Sequence, residues 1–480
     1  MRAGLVLAGI VALGGVAHAI DEEHYRQARG MIEKSIEYLR AQQDPATGGW
    51  AVMPEGAPQL PAISSLVLRG MLMEPDIGPD DPTVSAGVDF VLSFRNEDGS
   101  ISDGVLANYN TAITLSALAL VNTREAGEAI EGGQAFLKRI QWSEDAIDHP
   151  ETGAVDEDHP YYGGVGYGGS GRPDMSNTTL MLEGLRDSGL DCDDEAFQRA
   201  LVFLSRTQMH HDVNDMPYAE GSTQGGFIYA TSPNKDAIGV GESKAGTITE
   251  TLSDGTVASR LRAYGSMTYA GFKSYIYADL DRDDPRVTMA YDWIRQNYTL
   301  EENPGIGNDG LYYYYTTFSR AMDAWGLPTI RVASGDAVLL RGELVGLDRV
   351  QERGVSLQLD ELRDDRGDVY PLSSPAVRAN PGEDGASISV HDFSFADGTP
   401  FVLDSAGGPA SRVVDRGDRV EFTVRVRFTE DRDWANDLID RLAELQNPDG
   451  SFRVVDDRWM EDNPVLITAY ALLALQHAVN

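Results

Sequence analysis

The stretch "AQQDPATGGW" (residues 41–50) decides how this chain is read, because a near copy, "LQNPDGSF" (Leu445–Phe452), returns close to its far end. A helical run ends in glutamine, turns through Asp-Pro or Asn-Pro, and lands on glycine and an aromatic ring. Such a phrase written twice marks a repeat, and aligning it along the chain gives six units. They run from "IEKSIEYLRAQQDPATGGW" into "PAISSLVLRGML", from "VDFVLSFRNEDGSI" into "NYNTAITLSALALV", and from "GQAFLKRIQ" into "RPDMSNTTLMLEGL". The rest run from "FQRALVFLSRTQ" into "YGSMTYAGFKSYIYADL", from "VTMAYDWIRQNYTLEENPGIG" into "GLYYYYTTFSRAMDAWG", and from "WANDLIDRLAELQNPDGSF" into "NPVLITAYALLALQHAV".

In each unit the first helix keeps a polar face and the second is apolar nearly all round. The first therefore belongs outside and the second inside, and six such hairpins can close into a ring that leaves no open end. The glutamine is placed to bond orphan backbone groups at a helix end, the glycine permits the reversal, and the Trp or Phe packs over the junction. Between Gly326 and Trp434 the period changes to two: "DAVLLRGELVGL", "VSLQLDEL", "ASISVHDFSF" and "RVEFTVRVRF" read as strands, with Phe422, Val424, Val426 and Phe428 sharing one face.

The Gln…Gly-Trp turn resembles the QW repeat of squalene-hopene cyclases, and the whole unit looks like the α/α toroid shared by terpenoid cyclases and protein prenyltransferase β subunits. "NPGIGNDGLYYYYTTFSRAMDAWG" (Asn303–Gly326) is similar to the cyclases' Gly-Phe-Pro-Gly-x-Phe-Tyr…Tyr segment. The resemblance spans residues 20–330 and 431–480. The expectation is an all-α chain, a six-hairpin α/α toroid in residues 20–330 and 431–480, with a small antiparallel β domain of sandwich type inserted at 331–430.

Residues 1–19, with Arg2, the apolar "LVLAGIVALGGVA" and Ala17-His18-Ala19, read as a signal peptide, so the chain is expected to be exported, periplasmic or secreted, with no integral membrane segment after cleavage. The 480 residues carry 76 Asp and Glu against 39 Lys and Arg, a net charge of −37, which disfavours nucleic acid as a partner. The single cysteine, Cys192, forbids an internal disulfide.

Long connections from outer to inner helix (Trp142–Arg172 and Met209–Arg262) place the working face at the inner-helix N-termini. Facing it are Asn110 and Thr111; Asp174, Ser176 and Asn177; Tyr264, Ser266 and Tyr269; Tyr312 to Tyr315; and Asn463 and Thr468. The resemblance implies a lipid-like ligand such as a polyprenoid in a central apolar cavity. Asp174 would be the acid, with Tyr264, Tyr269, Tyr313 and Tyr315 along the path, and Asn110, Ser176, Asn177, Tyr312, Asn463 and Thr468 would contact substrate. Whether the chain catalyses stays open, because Ser176 and Asn177 stand where the cyclases' Asp-x-Asp-Asp motif has its other carboxylates. "DCDD" (191–194), "DRDD" (281–284) and "PDDP" (79–82) each precede an outer helix and read as caps. No metal or cofactor is expected. "MHHDVND" (His210–Asp215) lacks a clear further ligand, and "GVGYGG" (Gly164–Gly169) follows no strand, as a dinucleotide fingerprint would. Two other readings remain. One is a glycan-active enzyme using Tyr161, Tyr162 and Tyr167 near His159 and Arg172, provided a local basic groove offsets the charge. The other is a non-catalytic envelope scaffold docking a protein through residues 331–430.

Overall fold

The computed structural model describes residues 20–144, 154–168, 171–232, 242–252, 256–349 and 419–480, with short pieces between 355 and 403. The signal-peptide reading of residues 1–19 lies outside them.

Twelve α-helices occur among these residues. Six alternate ones are α2 (Pro61–Leu72), α4 (Ala107–Leu118), α6 (Met175–Asp187), α8 (Gly265–Tyr277), α10 (Leu311–Trp325) and α12 (Pro464–Val479). Each packs on the next, and α12 packs back on α2, so they form a closed inner ring. Their side chains disappear from solvent on every side, as in α12, which is buried from Val465 through Ala478. The other six lie outside: α1 (Glu22–Ala41), α3 (Pro82–Leu92), α5 (Arg124–Arg139), α7 (Glu195–Thr207), α9 (Pro285–Gln296) and α11 (Trp434–Leu445). These bury one stripe only, as α5 does with Ala126, Ala129, Gly133, Phe136 and Leu137. The seam between chain ends is closed by Arg29, which grips Glu74 at 2.7 and 2.6 Å, while the Gln476 amide donates to Gly70 O at 3.1 Å and to Glu74 at 2.8 Å.

The repeated turn works as a clamp between neighbouring hairpins. The Gln43 side-chain amide donates to Gly48 O at 2.9 Å and to Thr83 O of the next outer helix at 2.8 Å. Gln141 does the same to Gly163 O and Ala196 O, and Gln208 to Gly225 O and Arg286 O. Gln446 reaches Met31 O at 3.0 Å, joining the last hairpin to the first. The turn glycine sits at positive φ against the neighbour's backbone: at Gly163 (φ +81°) a Cβ would lie 1.8 Å from Arg199 O. The aromatic closes the unit, with Trp50 Nε1 donating to Leu39 O at 2.6 Å.

The all-α class expected from the sequence is overturned: the molecule is mixed α/β, with a two-stranded and a nine-stranded sheet beside the helices. The hairpin β1 (Thr247–Thr251) and β2 (Val257–Leu261) lies within a connection read as loop. Its residues are short and largely polar, so no apolar alternation marked it. The larger sheet comprises β3 (Thr329–Ala333), β4 (Val338–Arg349), β5 (Val355–Gln358), β6 (Glu361–Arg363), β7 (Val369–Pro371), β8 (Ala376–Gly382), β9 (Gly385–Ile388), β10 (Phe401–Leu403) and β11 (Arg419–Asp433). All its pairings are antiparallel, and β11 is the spine, pairing with β10, β4 and β3. Along β11, Val424 and Val426 are buried while Thr423 and Arg425 are exposed. The sheet is continuous with the ring rather than tethered to it, since β11 runs directly into α11 and β3 packs on α9. Arg295 donates to Arg331 O at 2.8 Å and Arg427 to Gln296 O at 2.6 Å, so the strands lie along the outer wall at α9. Among the described residues, no helix is long and apolar enough to cross a membrane.

Candidate functional site

The inner helices all run the same way. Their N-terminal residues touch one another, as in Asn110 Oδ1 accepting Ala62 N at 3.1 Å and Asn108 Nδ2 donating to Asn177 O at 3.1 Å. Their C-terminal residues do likewise, as in Arg69 bonding Asp187 at 2.6 Å. One face of the ring is therefore a mouth of helix N-termini and the other a floor of C-termini.

The lumen between them is nearly filled. Its cavity of about 40 Å³ is bounded by Leu66, Ile113, Leu180 and Leu473, by Tyr109, Tyr313 and Tyr470, and by the charged groups of Arg69, Glu183, Lys273 and Arg320. Drug-sized ligands occupy pockets of roughly 300–1,000 Å³. At the mouth end Tyr109 Oη lies 3.3 Å from Tyr470 Oη, and the Tyr313 ring meets Tyr470 edge-on at 6.1 Å.

Above these tyrosines lies the convergence of groups that carries chemistry. Asp174 is the N-cap of α6 and is 3% exposed. Its carboxylate accepts from Asn177 N at 2.9 Å and from Asn177 Nδ2 at 2.9 and 3.2 Å, with the Tyr229 hydroxyl as a further donor. Burial outweighs these donors and lifts its pKa to about 6. Tyr167, 42% exposed, bonds Tyr229 and Asn177, and its ring faces Tyr109 at 6.5 Å. Glu242 is buried, accepts from Arg172 at 3.3 Å, and keeps its Oε2 without a hydrogen-bond donor among the described residues. The Lys244 ammonium stands 4.4 Å over the Tyr229 ring; burial and the charges of Arg172 and Arg458 lower its pKa. Three cations, Arg172, Lys244 and Arg458, thus gather here with Asp174, Glu242 and Asp309, the last paired with Arg458, on a chain that is otherwise strongly acidic.

The loops that bring these groups in are shaped by glycine and by neighbour capping. Gly166 packs against Arg172 O, presenting Tyr167 at the rim, and Tyr167 O accepts from Asn108 N at 3.1 Å. Opposite, Glu461 accepts from Tyr312 N at 3.1 Å and Tyr313 N at 2.8 Å, and burial raises its carboxyl to about 7. Beside it Trp459 (φ +56°) and Met460 (φ +67°) hold left-handed backbone that bulky side chains rarely adopt, and both are exposed.

Among the residues singled out by sequence, the structure brings Asp174, Ser176, Asn177, Tyr264 and Tyr313 to the mouth. Ser176 reaches Met267 Sδ at 3.8 Å, and burial pushes the Tyr264 hydroxyl well above the ordinary tyrosine range. The rest lie elsewhere. Tyr269 is locked between Tyr314 and Phe318 in the wall, Tyr312 donates to Arg453 O, and Tyr315 donates to Leu300 O in the outer layer. Asn110 laces α4 to α2, Asn463 caps α12 through Val465 N and Leu466 N, and Thr468 is buried in mid-helix. Asp81, Asp194 and Asp284 cap α3, α7 and α9. His210, His211 and Asp212 offer three ligand atoms within 4.8 Å of one another, but burial holds His210 at about 4 and His211 Nδ1 is engaged by Ser222 O at 2.9 Å. Tyr229, Glu242, Lys244, Arg458 and Glu461 were not picked out by sequence reasoning. All lie in connections, where no period marks them.

No protein-family model matches this chain, and no curated protein matches it either.

Proposed function

We propose that this chain is a glycan-active enzyme that works at the mouth of the ring, using Asp174 for proton transfer on an anionic sugar. The observation that carries the reading is the placement of a buried carboxylate titrating near 6 beside tyrosine hydroxyls and within the electrostatic reach of Arg172 and Lys244. A polyprenoid requires several hundred Å³ of apolar lumen, whereas the lumen offers about 40 Å³ and ends in charge.

β-Elimination is the reaction these groups suit. Arg172 and Lys244 would neutralise a uronate carboxylate and so acidify the adjacent C–H. Asp174, ionised above its pKa, would take that proton, and the electron pair would form a C=C bond as the C–O bond to the next sugar breaks. The Tyr229 hydroxyl, already bonded to Asp174, would protonate the departing oxygen. Tyr161, whose hydroxyl feels both Arg172 and Glu242, and Tyr167 supply ring faces for sugars at the rim. The test is incubation of the purified protein with polyuronates and with neutral glycans, following the ultraviolet absorbance of an unsaturated product. Unsaturated product from a polyuronate, lost in Asp174→Asn, is expected. A protein that cleaves none of them, or cleaves equally well as Asp174→Asn, refutes the reading.

A further inference from the structure

The floor of the lumen poses a separate problem, independent of the reaction at the mouth. Four charged side chains bound the cavity there: Arg69, Lys273 and Arg320 against Glu183 alone. Lys273 and Arg320 both contact Glu183, and Asp187, just outside, bonds Arg69 at 2.6 Å and Arg320 at 3.1 Å. With Lys273 as an ammonium that makes three cations to two carboxylates, nearly all withdrawn from water, with Lys273 1% and Arg320 5% exposed. The remaining ionisable groups at this end do not restore the balance. Glu74 is held by Arg29, Asp323 faces His477 at 2.8 Å with over a third of its side chain in solvent, and burial keeps His477 neutral down to about pH 4. Arg320 lines this space, and its buried Nε has no acceptor among the described residues.

An excess buried cation is strongly unfavourable unless a counter-charge meets it. We propose that the lumen cavity binds one small monovalent anion of halide size, held by Arg320 Nε and by the charges of Lys273 and Arg69. The space fits: about 40 Å³ holds a halide or one to two waters and excludes larger oxyanions carrying an organic group. Ser116, Thr317 and Tyr109 also line the cavity, but the Thr317 hydroxyl donates to Tyr313 O at 2.8 Å and the Ser116 hydroxyl to Asp187, so the ion's donors are the N–H groups of Arg320, Lys273 and Arg69. Access is through the tyrosines at the mouth end, whose hydroxyls are not locked into helix backbone at Tyr109 and Tyr470. With the anion present Lys273 stays an ammonium; without it, burial and the two arginines drive the amine toward its neutral form.

The experiment is thermal unfolding of the whole protein in bromide or chloride against gluconate, a carboxylate too large for the cavity, at constant ionic strength. Anomalous diffraction from crystals holding bromide follows. Expected is a Tm that climbs about 1–2 °C for each tenfold rise in halide above saturation, and a bromide peak between Arg320 and Lys273. Arg320→Met and Lys273→Met should unfold independently of halide. Equal Tm in halide and gluconate, or bromide confined to the surface with water only in the lumen, overturns the proposal. Should either variant fail to fold, the wild-type diffraction decides alone.

Discussion

Replacing Asp174 by asparagine tests whether the mouth carboxylate is held in an environment that opposes its charge. The folded-state pKa of about 6 lies above the ordinary 3.8. A raised carboxyl favours folding while protonated: that advantage is complete below pH 3.8 and is lost as pH rises through 6. The shift of about 2.2 units corresponds to about 3 kcal/mol withdrawn from stability by pH 7.5. Asparagine is isosteric and caps helices as well as aspartate. Its carbonyl can keep the bonds that Oδ1 accepts from Asn177 N and Nδ2, while its amide opposes Asn177 Nδ2 where Oδ2 accepted at 2.9 Å, costing about 1 kcal/mol. Asp174→Asn should therefore be about 2 kcal/mol more stable than wild type at pH 7.5 and about 0.5 kcal/mol less stable at pH 4. Urea unfolding at several pH values reads this directly, and activity should fall at least about 100-fold. The wild-type rate should rise with pH through a limb near 6. If the stability difference between the two proteins is the same at pH 4 and pH 7.5, Asp174 is not destabilised by burial and the reasoning fails.

The clamp turns make sharper structural demands. Gly163→Ala forces a Cβ to within 1.8 Å of Arg199 O at φ +81° and should lower the urea midpoint by more than about 3 kcal/mol equivalent; Gly56→Ala, at φ +87° with nothing within 4 Å, should cost only about 1–2 kcal/mol. Gln208→Leu abandons the carbonyls of Gly225 and Arg286 and the hydroxyl of Tyr275, about 3–5 kcal/mol by the same measurement. Lys244→Gln, at the exposed rim, should leave folding unchanged and raise KM on a polyuronate several-fold at least, with the effect masked as salt is added. An unchanged KM would remove Lys244 from substrate binding.

How much of this was legible from sequence follows from where backbone geometry constrains side-chain choice. The Gln and Gly of the four clamp turns at Gln43, Gln141, Gln208 and Gln446 could be read because a positive φ and a pair of acceptors leave few alternatives. Inner and outer helices could be told apart because α12 is apolar all round and α5 only along a stripe. Direction around an inner helix could not: Tyr312 to Tyr315 are four consecutive tyrosines, and only Tyr313 enters the lumen, with Thr316, Thr317 and Arg320 following at helical spacing. The ionic floor left a fainter trace, single charges such as Arg69 and Lys273 inside otherwise apolar helices. Their meeting depends on ring closure across sequence separations of 90 to 137 residues, which no local pattern encodes. Glu242 and Lys244 sit where the chain is held by loop packing.

Both charged regions follow from the common direction of the inner helices. Every outer helix starts with its own side-chain cap, five aspartates and Thr123. The inner helices α2, α4, α8 and α10 have none, and are capped instead by neighbours through Asn110, Tyr167 O, Asn303 and Glu461. Six parallel helices carry roughly half a positive charge each toward the mouth and half a negative charge toward the floor. An anionic substrate is thereby favoured at the mouth despite the net charge of −37, and arginine and lysine are favoured at the floor. With Lys273 charged, the floor holds one cation more than Glu183 and Asp187 balance, because helix ends attract charge without supplying a hydrogen-bonding counter-ion. If the dipoles set this polarity, Glu461→Lys, which places a cation at the positive end of α10, should cost more than the lost hydrogen bonds of Glu461→Gln. The excess combines the dipole repulsion with the cost of burying an unpaired ammonium, on the order of several kcal/mol, and should persist in high salt because the site is buried. Equal losses for the two substitutions would mean that local bonds alone arrange the ring's charges.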